Sequence, residues 1–466
     1  MKNIIRSISC VLIIVMLALM CTACGTEKST VQIEPMELEE VYTLSFDIIG
    51  GSDVMPICGY YGPRLSTYSK DGESMPEMIT DEYYQMFQEC GVNLICQAPT
   101  DYEYTPEYVI KMLELGDKYQ VGWFVTDSKI VKNELSVSDA MARINHYANY
   151  ASFCGIHVVD EPYLKGMVGD GTRDMLEYVP AFDFLKEMGI IAASNLLPSK
   201  SFNRVEDLEE YVATFTETCD APYLSFDTYV YDKKFDFSDY FYDLSVYRNA
   251  ANEAGIPLWV FIQAGSQWND LQNRFDSELP YYPNERQFDW NVNTALAYGA
   301  KGIEYFPLIQ PHWYAWAEST DYDFERNGII GAWGNKTQWF YYAKDLKDHI
   351  AAIDEVLMNS VNKGVLLSGQ QAIDENYRST CIMEGTSWRE LASFNGDTMV
   401  GCFNYQGRTA LYVVAYDREY AQNITLTFQD DYNFSVIQDG QKAYYNGGEL
   451  TLTMRAGEGV LIVFEQ

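Results

Sequence analysis

The chain has 466 residues, 47% hydrophobic and 15% aromatic, with 67 Asp and Glu against 32 Lys and Arg for a formal net charge of −35. That length asks for more than one folded unit. The charge argues against nucleic acids and anionic surfaces as partners and disfavours polyanionic substrates such as uronate polymers, so neutral or amino sugars match it better.

The chain opens on Lys2 and Arg6, an apolar run from Val11 to Met20, and Cys21-Thr22-Ala23-Cys24-Gly25. These are the three parts of an export signal, too short for a comfortable membrane span. The segment resembles a bacterial lipoprotein signal over 1–23, with Cys24 as the lipidated residue and Cys21 where a leucine is usual. An uncleaved anchor is the competing reading. Residues 24–44 then read as a polar tether, and the lipid anchor is the only membrane contact expected.

From residue 45 short apolar runs alternate with amphipathic segments, the order of a parallel sheet wound with helices. Strands are predicted near Ile57 to Tyr61, Val92 to Gln97, Val121 to Thr126, Ile156 to Asp160, Ile190 to Asn195, Tyr223 to Tyr229, Leu258 to Gln263 and Gly302 to Phe306. Helix edges fall between them: Thr80 and Thr105-Pro106 as starts, with Gly91, Gly189, Gly255 and Gly299 as stops. Eight such units over 45–359 predict one (β/α)8 barrel. From 360 to 466 the period changes to alternating β-branched and aromatic residues, as in Ala410 to Tyr416, which predicts a small antiparallel β-sandwich.

Beyond the signal lie seven cysteines without metal-ligand spacing, read as mostly buried thiols. No metal site and no cofactor are expected. Two of the four histidines, His146 and His349, fall in helical patterns and read as surface residues, while His157 is mid-strand.

The fourth strand ends Val158-Val159-Asp160-Glu161-Pro162. Barrel chemistry gathers where the strands end, so Glu161 is the first candidate for a catalytic acid; its bland alternative is a loop acid capping the next helix. Asp160 beside it can only accept hydrogen bonds when ionised, which favours a 2-hydroxyl or an acetamido N–H on a substrate. Two adjacent carboxylates also push one pKa up, helping one acid keep its proton. Asp227, at the end of the sixth strand, is the candidate second carboxylate, with a loop or capping role as its alternative. Glu304 lies inside a strand and must find a partner, in a core ion pair or in the site.

Tyr61, Trp123, Tyr229, Trp268 and Trp313 fall on or just after strand ends, where aromatic faces suit sugar rings. Gln97, His157, Asn195 and Gln263 are the polar candidates for substrate binding at the same level.

Asp160-Glu161-Pro162 resembles the Asn-Glu-Pro found at this place in the clan of retaining β/α-barrel glycosidases, which implies Glu161 as acid/base with Asp160 replacing the Asn. That clan's nucleophile is a Glu ending the seventh strand, where this chain has Gln263. The Asp-Glu pair also resembles that of substrate-assisted hexosaminidases, which implies Asp160 steering an acetamido nucleophile. Val54 to Ile57 with Tyr61-Gly62-Pro63, His157 to Pro162, Asn195 to Pro198 and Ala297 to Gly302 together resemble secreted bacterial proteins of the glycoside-hydrolase-like kind. The expectation is an extracellular lipid-anchored glycoside hydrolase acting on an oligosaccharide or polysaccharide. Its rival is a lipoprotein that captures glycans without cleaving them.

Overall fold

The computed structural model describes residues 32–64, 69–70, 73–74, 76–96, 105–164, 174–231, 238–265, 282–310, 327–369 and 378–465. Met1–Glu34 forms one unit; Pro35–Gln466 forms a second, which holds the described strands and helices.

Eight parallel strands, β1 (Ile57–Tyr60), β2 (Leu94–Cys96), β3 (Gly122–Val125), β4 (Phe153–Asp160), β5 (Ala192–Asn195), β6 (Leu224–Phe226), β7 (Leu258–Gln263) and β8 (Gly302–Phe306), form one sheet. Neighbours pair in chain order, and β8 pairs back onto β1 through Cys58↔Glu304. The remaining seam is joined past the strand ends, where Leu196 bridges Phe226 and its N–H donates to Ser225 O at 2.9 Å. The expected (β/α)8 barrel is therefore what the chain forms.

Among the described residues, the longer helices that follow the strands are α1 (Asp81–Glu89), α2 (Pro106–Tyr119), α3 (Val137–Tyr147), α4 (Met175–Glu187), α5 (Asp207–Cys219), α6 (Ser238–Ala254), α7 (Glu285–Ala297) and α8 (Gln338–Met358). The glycine stops hold: Gly91, Gly189, Gly255 and Gly299 all take left-handed φ. At Gly299 the space is closed as well, since a Cβ there would lie 2.6 Å from that of Asn362.

Each barrel strand is buried on both sides, as its apolar run requires. Ile57, Ile95, Val125, Ile156, Val260 and Ile303 face the helices in the main core, whereas Cys58, Tyr60, Cys96, Phe124, Trp259 and Phe261 fill the barrel in a cluster of their own. Phe46, just before β1, packs its ring edge-on to Phe124 (5.8 Å) and Trp259 (6.4 Å) and belongs to the same interior cluster.

The C-terminal strands are β9 (Ser360–Ser368), β10 (Leu391–Phe394), β11 (Thr398–Tyr405), β12 (Arg408–Ala415), β13 (Gln422–Gln438), β14 (Gln441–Met454) and β15 (Gly459–Phe464), all antiparallel. They form one sheet, with a register break in the β13–β14 ladder between Thr427 and Tyr432. Leu411, Val413 and Val460 share a core with Leu426 and Leu452 from the far half of that ladder, so the sandwich is one sheet packed on itself. The alternate residues Ala410, Tyr412 and Val414 belong to the barrel's core. His349 lies at this junction, its Nε2 3.0 Å from Tyr412 Oη; it is buried and held neutral with its pKa pushed down to about 4. The surface role read for His349 is thus corrected: the second domain covers that face of α8. His146 is exposed. Residues 36–39, inside the expected tether, hydrogen-bond to this sheet: Met36 N–H to Gly407 O at 3.0 Å and Asn404 Nδ2 to Glu37 O at 2.8 Å.

Candidate active site

The candidate site is built by the carboxyl ends of β4, β5 and β6. Strand β4 slips register against β5 between His157 and Val159, so that Val158 and Val159 both join the outer core. A bulge there carries one extra residue and re-aims the end of the strand, which keeps His157 and Asp160 on the inner side together. Strand β5 then places Asn195 opposite Asp160. On β6, Leu224 and Phe226 face outward, so Ser225 and the following Asp227 face in.

These placements converge on one amide. Asn195 Nδ2 donates to Asp160 Oδ1 at 3.2 Å and to Asp227 Oδ1 at 3.0 Å, holding two carboxylates from different strands within two hydrogen-bond lengths of each other. Asn195 and Asp227 are buried and Asp160 is half-buried. The Asn195 Oδ1 on the other side of the amide has no partner among the described residues. Burial pushes the Asp227 carboxyl up to about 6, with the Asp160 charge acting in the same direction and the Asn195 bond, Lys200 and Tyr229 opposing it.

Glu161 is half-buried and adopts φ +49°, a left-handed conformation that a non-glycine residue rarely takes; its N–H donates to Asn195 O at 2.9 Å. The next residue is fixed by α5, whose Tyr211 Oη donates to Pro162 O at 2.8 Å. All three acids act on Tyr229: burial raises the Tyr229 hydroxyl most, and Asp227, Glu161 and Asp160 raise it further. The Tyr229 ring lies 5.2 Å from Phe306, which contacts Tyr61 at 5.4 Å, so these three aromatics line one side of the mouth.

His157 sits below, with its Nε2 3.4 Å from Tyr60 Oη, its Nδ1 without a partner among the described residues, and its pKa pushed down to about 4 by burial. It is neutral at physiological pH, and which nitrogen carries the proton depends on what meets Nδ1. Glu304 faces the same interior, accepts from the Ser225 hydroxyl, and is pushed up to about 8 by burial. Its partners are the Ser225 hydroxyl and the Cys58 thiol, and it is protonated at neutral pH, which is not the ion pair considered from sequence.

Two sequence candidates stand elsewhere. Trp123 is fully buried in the outer core, 6.2 Å from Tyr84 of α1, because on β3 it is Phe124 that points inward. Gln263 ends β7 as expected, but its amide is spent on backbone: Oε1 accepts from Tyr231 N–H at 3.0 Å, and Nε2 donates to Tyr231 O and Gly265 O at 3.2 and 2.9 Å. It staples two loops together. Gln97, Trp268, Trp313 and Cys24 lie outside the described residues.

Two residues absent from the sequence reading belong to the site. Lys200, in the loop after β5, places its ammonium 5.6 Å from the Tyr229 ring centroid. Asp243 of α6 is fully buried and accepts from Ser199 N–H at 3.0 Å and from the Thr228 hydroxyl, tying together the loops that carry Lys200 and Asp227. The available signal was a lone Asp in the middle of a helix whose neighbours, from Tyr240 to Tyr247, are mostly apolar and aromatic. Among the described residues no group of three His, Cys, Asp or Glu side chains is arranged to hold a metal ion.

No protein-family model matches this chain, and no curated protein matches it. Among solved structures it is similar to a maltogenic α-amylase of Thermotoga neapolitana, at 10% identity and TM-score 0.45 over 89% of this chain and 99% of that one. It is also similar to a β-galactosidase of Marinomonas ef1, at 11% identity and TM-score 0.41 over 65% of this chain and 62% of that one. A third is the GH99 endo-α-mannosidase of Bacteroides thetaiotaomicron, at 11% identity and TM-score 0.38 over 64% and 97%. What those barrels cleave is theirs; the chemistry open to this chain is set by its own mouth.

Proposed function

We propose that this protein is a glycoside hydrolase, exported and held at the membrane by a lipid on Cys24, acting on neutral or N-acetylated glycans. The observation that carries the reading is the Asn195 amide spanning Asp160 and Asp227 at the barrel mouth, with Glu161 next in the chain. Glycoside hydrolysis needs an acid to protonate the leaving oxygen and a carboxylate to meet the developing positive charge at the anomeric carbon, as nucleophile or as base for water.

Glu161 is the acid: its proton goes to the leaving oxygen as the bond to the anomeric carbon breaks. Asp160 orients the substituent at the sugar's second carbon, and Asp227 is the second carboxylate on the facing strand. On an acetamido sugar the substrate's own carbonyl oxygen attacks, with Asp160 holding its N–H, and Asp227 then only holds the ring. Tyr61 and Tyr229 offer flat faces to the sugar, and the Asn195 Oδ1, without a partner among the described residues, is an acceptor for one of its hydroxyls. The left-handed backbone of Glu161 is a further support, since such conformations gather where a fold holds a residue for a task.

One observation favours a second reading, glycan capture without cleavage. The residue ending β7 is an amide whose groups are consumed by backbone, so among the described residues no carboxylate stands at that strand end. Hydrolysis of a panel of neutral and N-acetylated glycans by the full chain, beside Glu161→Gln, separates the two. Cleavage that falls by roughly 100-fold or more in the variant is the expected result for a general acid. Binding without cleavage in both proteins would establish capture, and undiminished cleavage in the variant would remove Glu161 from the acid's role.

A further inference from the structure

Arg248 lies on α6, away from the barrel mouth, in the cleft between α5, α6 and strand β9. Its guanidinium is buried, at 9% exposure, yet no carboxylate pairs with it among the described residues. Nε and Nη2 both donate to Asn249 Oδ1, at 3.1 and 3.0 Å, and the group stacks over the Tyr298 ring at 5.5 Å. Nη1 has no partner among the described residues. An arginine cannot shed its proton in a protein, so burial leaves a charge compensated only by a neutral amide oxygen and a ring face. A buried cation without a counter-charge costs several kcal/mol, and an oxyanion accepting from the free nitrogen relieves that cost.

Room for such a partner lies beside the side chain, and the guanidinium must turn toward it, since Nη1 itself is closed off from solvent. Arg248 lines two cavities, one of about 770 Å³ toward α5 and β9 and one of about 260 Å³ toward Pro257 and Lys301. The larger is the size of a site for a small organic molecule. Its floor is apolar, with Val212, Val246 and Ile382, and Ser379 and Thr380 bring hydroxyls to its edge. Glu209, Glu253 and Glu384 also line it, and they restrict what can enter. A polyanion meets like charge there, whereas hydroxyl groups meet good acceptors.

We propose that this cleft is a second ligand site, taking a monoanionic hydroxylated molecule of the sugar-acid class with its carboxylate on Arg248 and its hydroxyls on the acidic edge. The site is independent of the mouth chemistry and stands whether or not the barrel is a hydrolase.

The test is calorimetric titration of the full chain with D-glucuronate, and with glucose as the neutral control, at fixed ionic strength. Saturable binding of glucuronate and none of glucose is expected, with Arg248→Gln weakening it roughly tenfold or more, as for loss of a charge-assisted hydrogen bond. Thr380→Glu, which leaves Arg248 in place and adds a negative charge at the cleft edge, should weaken binding likewise, and it carries the test should Arg248→Gln fail to fold. No saturable binding of glucuronate, or equal binding by wild type and a folded variant of either kind, would overturn the proposal.

Discussion

A side-chain amide carries two N–H bonds and one acceptor oxygen, and at Asn195 the Nδ2 is shared between two carboxylates while the oxygen meets no partner among the described residues. The amide therefore offsets the repulsion that would drive Asp160 and Asp227 apart, and it fixes their separation. Replacing it by alanine should cost about 1–3 kcal/mol in denaturant unfolding, the range for leaving buried acceptors unmet. Hydrolysis should fall about 100-fold because the carboxylates lose their alignment. Asn195→Asp is the sharper probe. A third negative charge raises the pKa of Asp227 further above its already elevated value of about 6. If Asp227 must be ionised to act, the acidic limb of the pH–rate profile then moves to higher pH. A limb that stays put in Asn195→Asp would detach Asp227 from the reaction.

At the level of strands and loops, the same mouth depends on a helix that never reaches it. Asp243 on α6 accepts from residues 199 and 228, immediately beside Lys200 and Asp227, and burial pushes its carboxyl up to about 7. Asp243→Ala should release both loops, lowering stability by about 2–4 kcal/mol and speeding amide exchange at 197–201 and 228–231 more than in the rest of the barrel. Asp243→Asn should restore most of the protection, since its oxygen can still accept from Ser199 N–H while its NH2 donates to the Thr228 hydroxyl. Uniform exchange in the alanine variant would mean that the loops are held by something else. Asp243 also marks how far the sequence could be read. Asp160, Asn195 and Asp227 were visible because each ends an apolar run, and in a parallel barrel run ends converge without further information. Trp123 was misplaced because β3 is apolar on both faces, so alternation cannot say which residue points inward. Gln263 was placed correctly in its strand, but its bonds go to Tyr231, a residue 32 positions away, and no local pattern records that. Asp243 reaches residues 44 and 15 positions away, and His349 is covered by a strand from the other domain. What periodicity encodes was legible; which long-range partner uses up a polar group was not.

At the scale of the whole molecule, part of the acid excess lies inside: Glu304, Asp243 and Asp227 are buried, while Asp289 and Asp354 are half-buried. Burial raises Glu304 to about 8, Asp243 and Asp289 to about 7, and Asp227 and Asp354 to about 6. For each, the folded state holds a proton that the unfolded chain releases near its ordinary value of 3.8 or 4.5. Their stabilising contribution is therefore complete at low pH and drains away as pH climbs to the folded value. Groups whose pKa is lowered act in the opposite sense; carboxyls held down by ion pairs and hydrogen bonds, such as Glu89 at about 2, have finished titrating below the window of about pH 5 to 7. His157 and His349, lowered to about 4, and Lys301, lowered to about 7 by burial, bind protons less well when folded, so they favour the native state as pH rises. The histidines have little left to give above 6.5, and Lys301 weighs in only near 7 and beyond, so the five acids dominate from about pH 5 to 7. Over that window stability should fall by an amount on the order of several kcal/mol, since each unmatched proton is worth about 1.4 kcal/mol per pH unit. The formal charge of −35 adds self-repulsion in the same direction. Thermal unfolding of the full chain at fixed ionic strength should therefore show the highest midpoint near pH 5 and a steady decline toward neutrality. Glu304→Gln removes one titrating acid while keeping a donor and an acceptor beside Ser225, so it should flatten the decline above pH 6. A midpoint that rises from pH 5 to 7 would mean that these carboxyls are ionised in the folded protein and that counter-charges or water reach them.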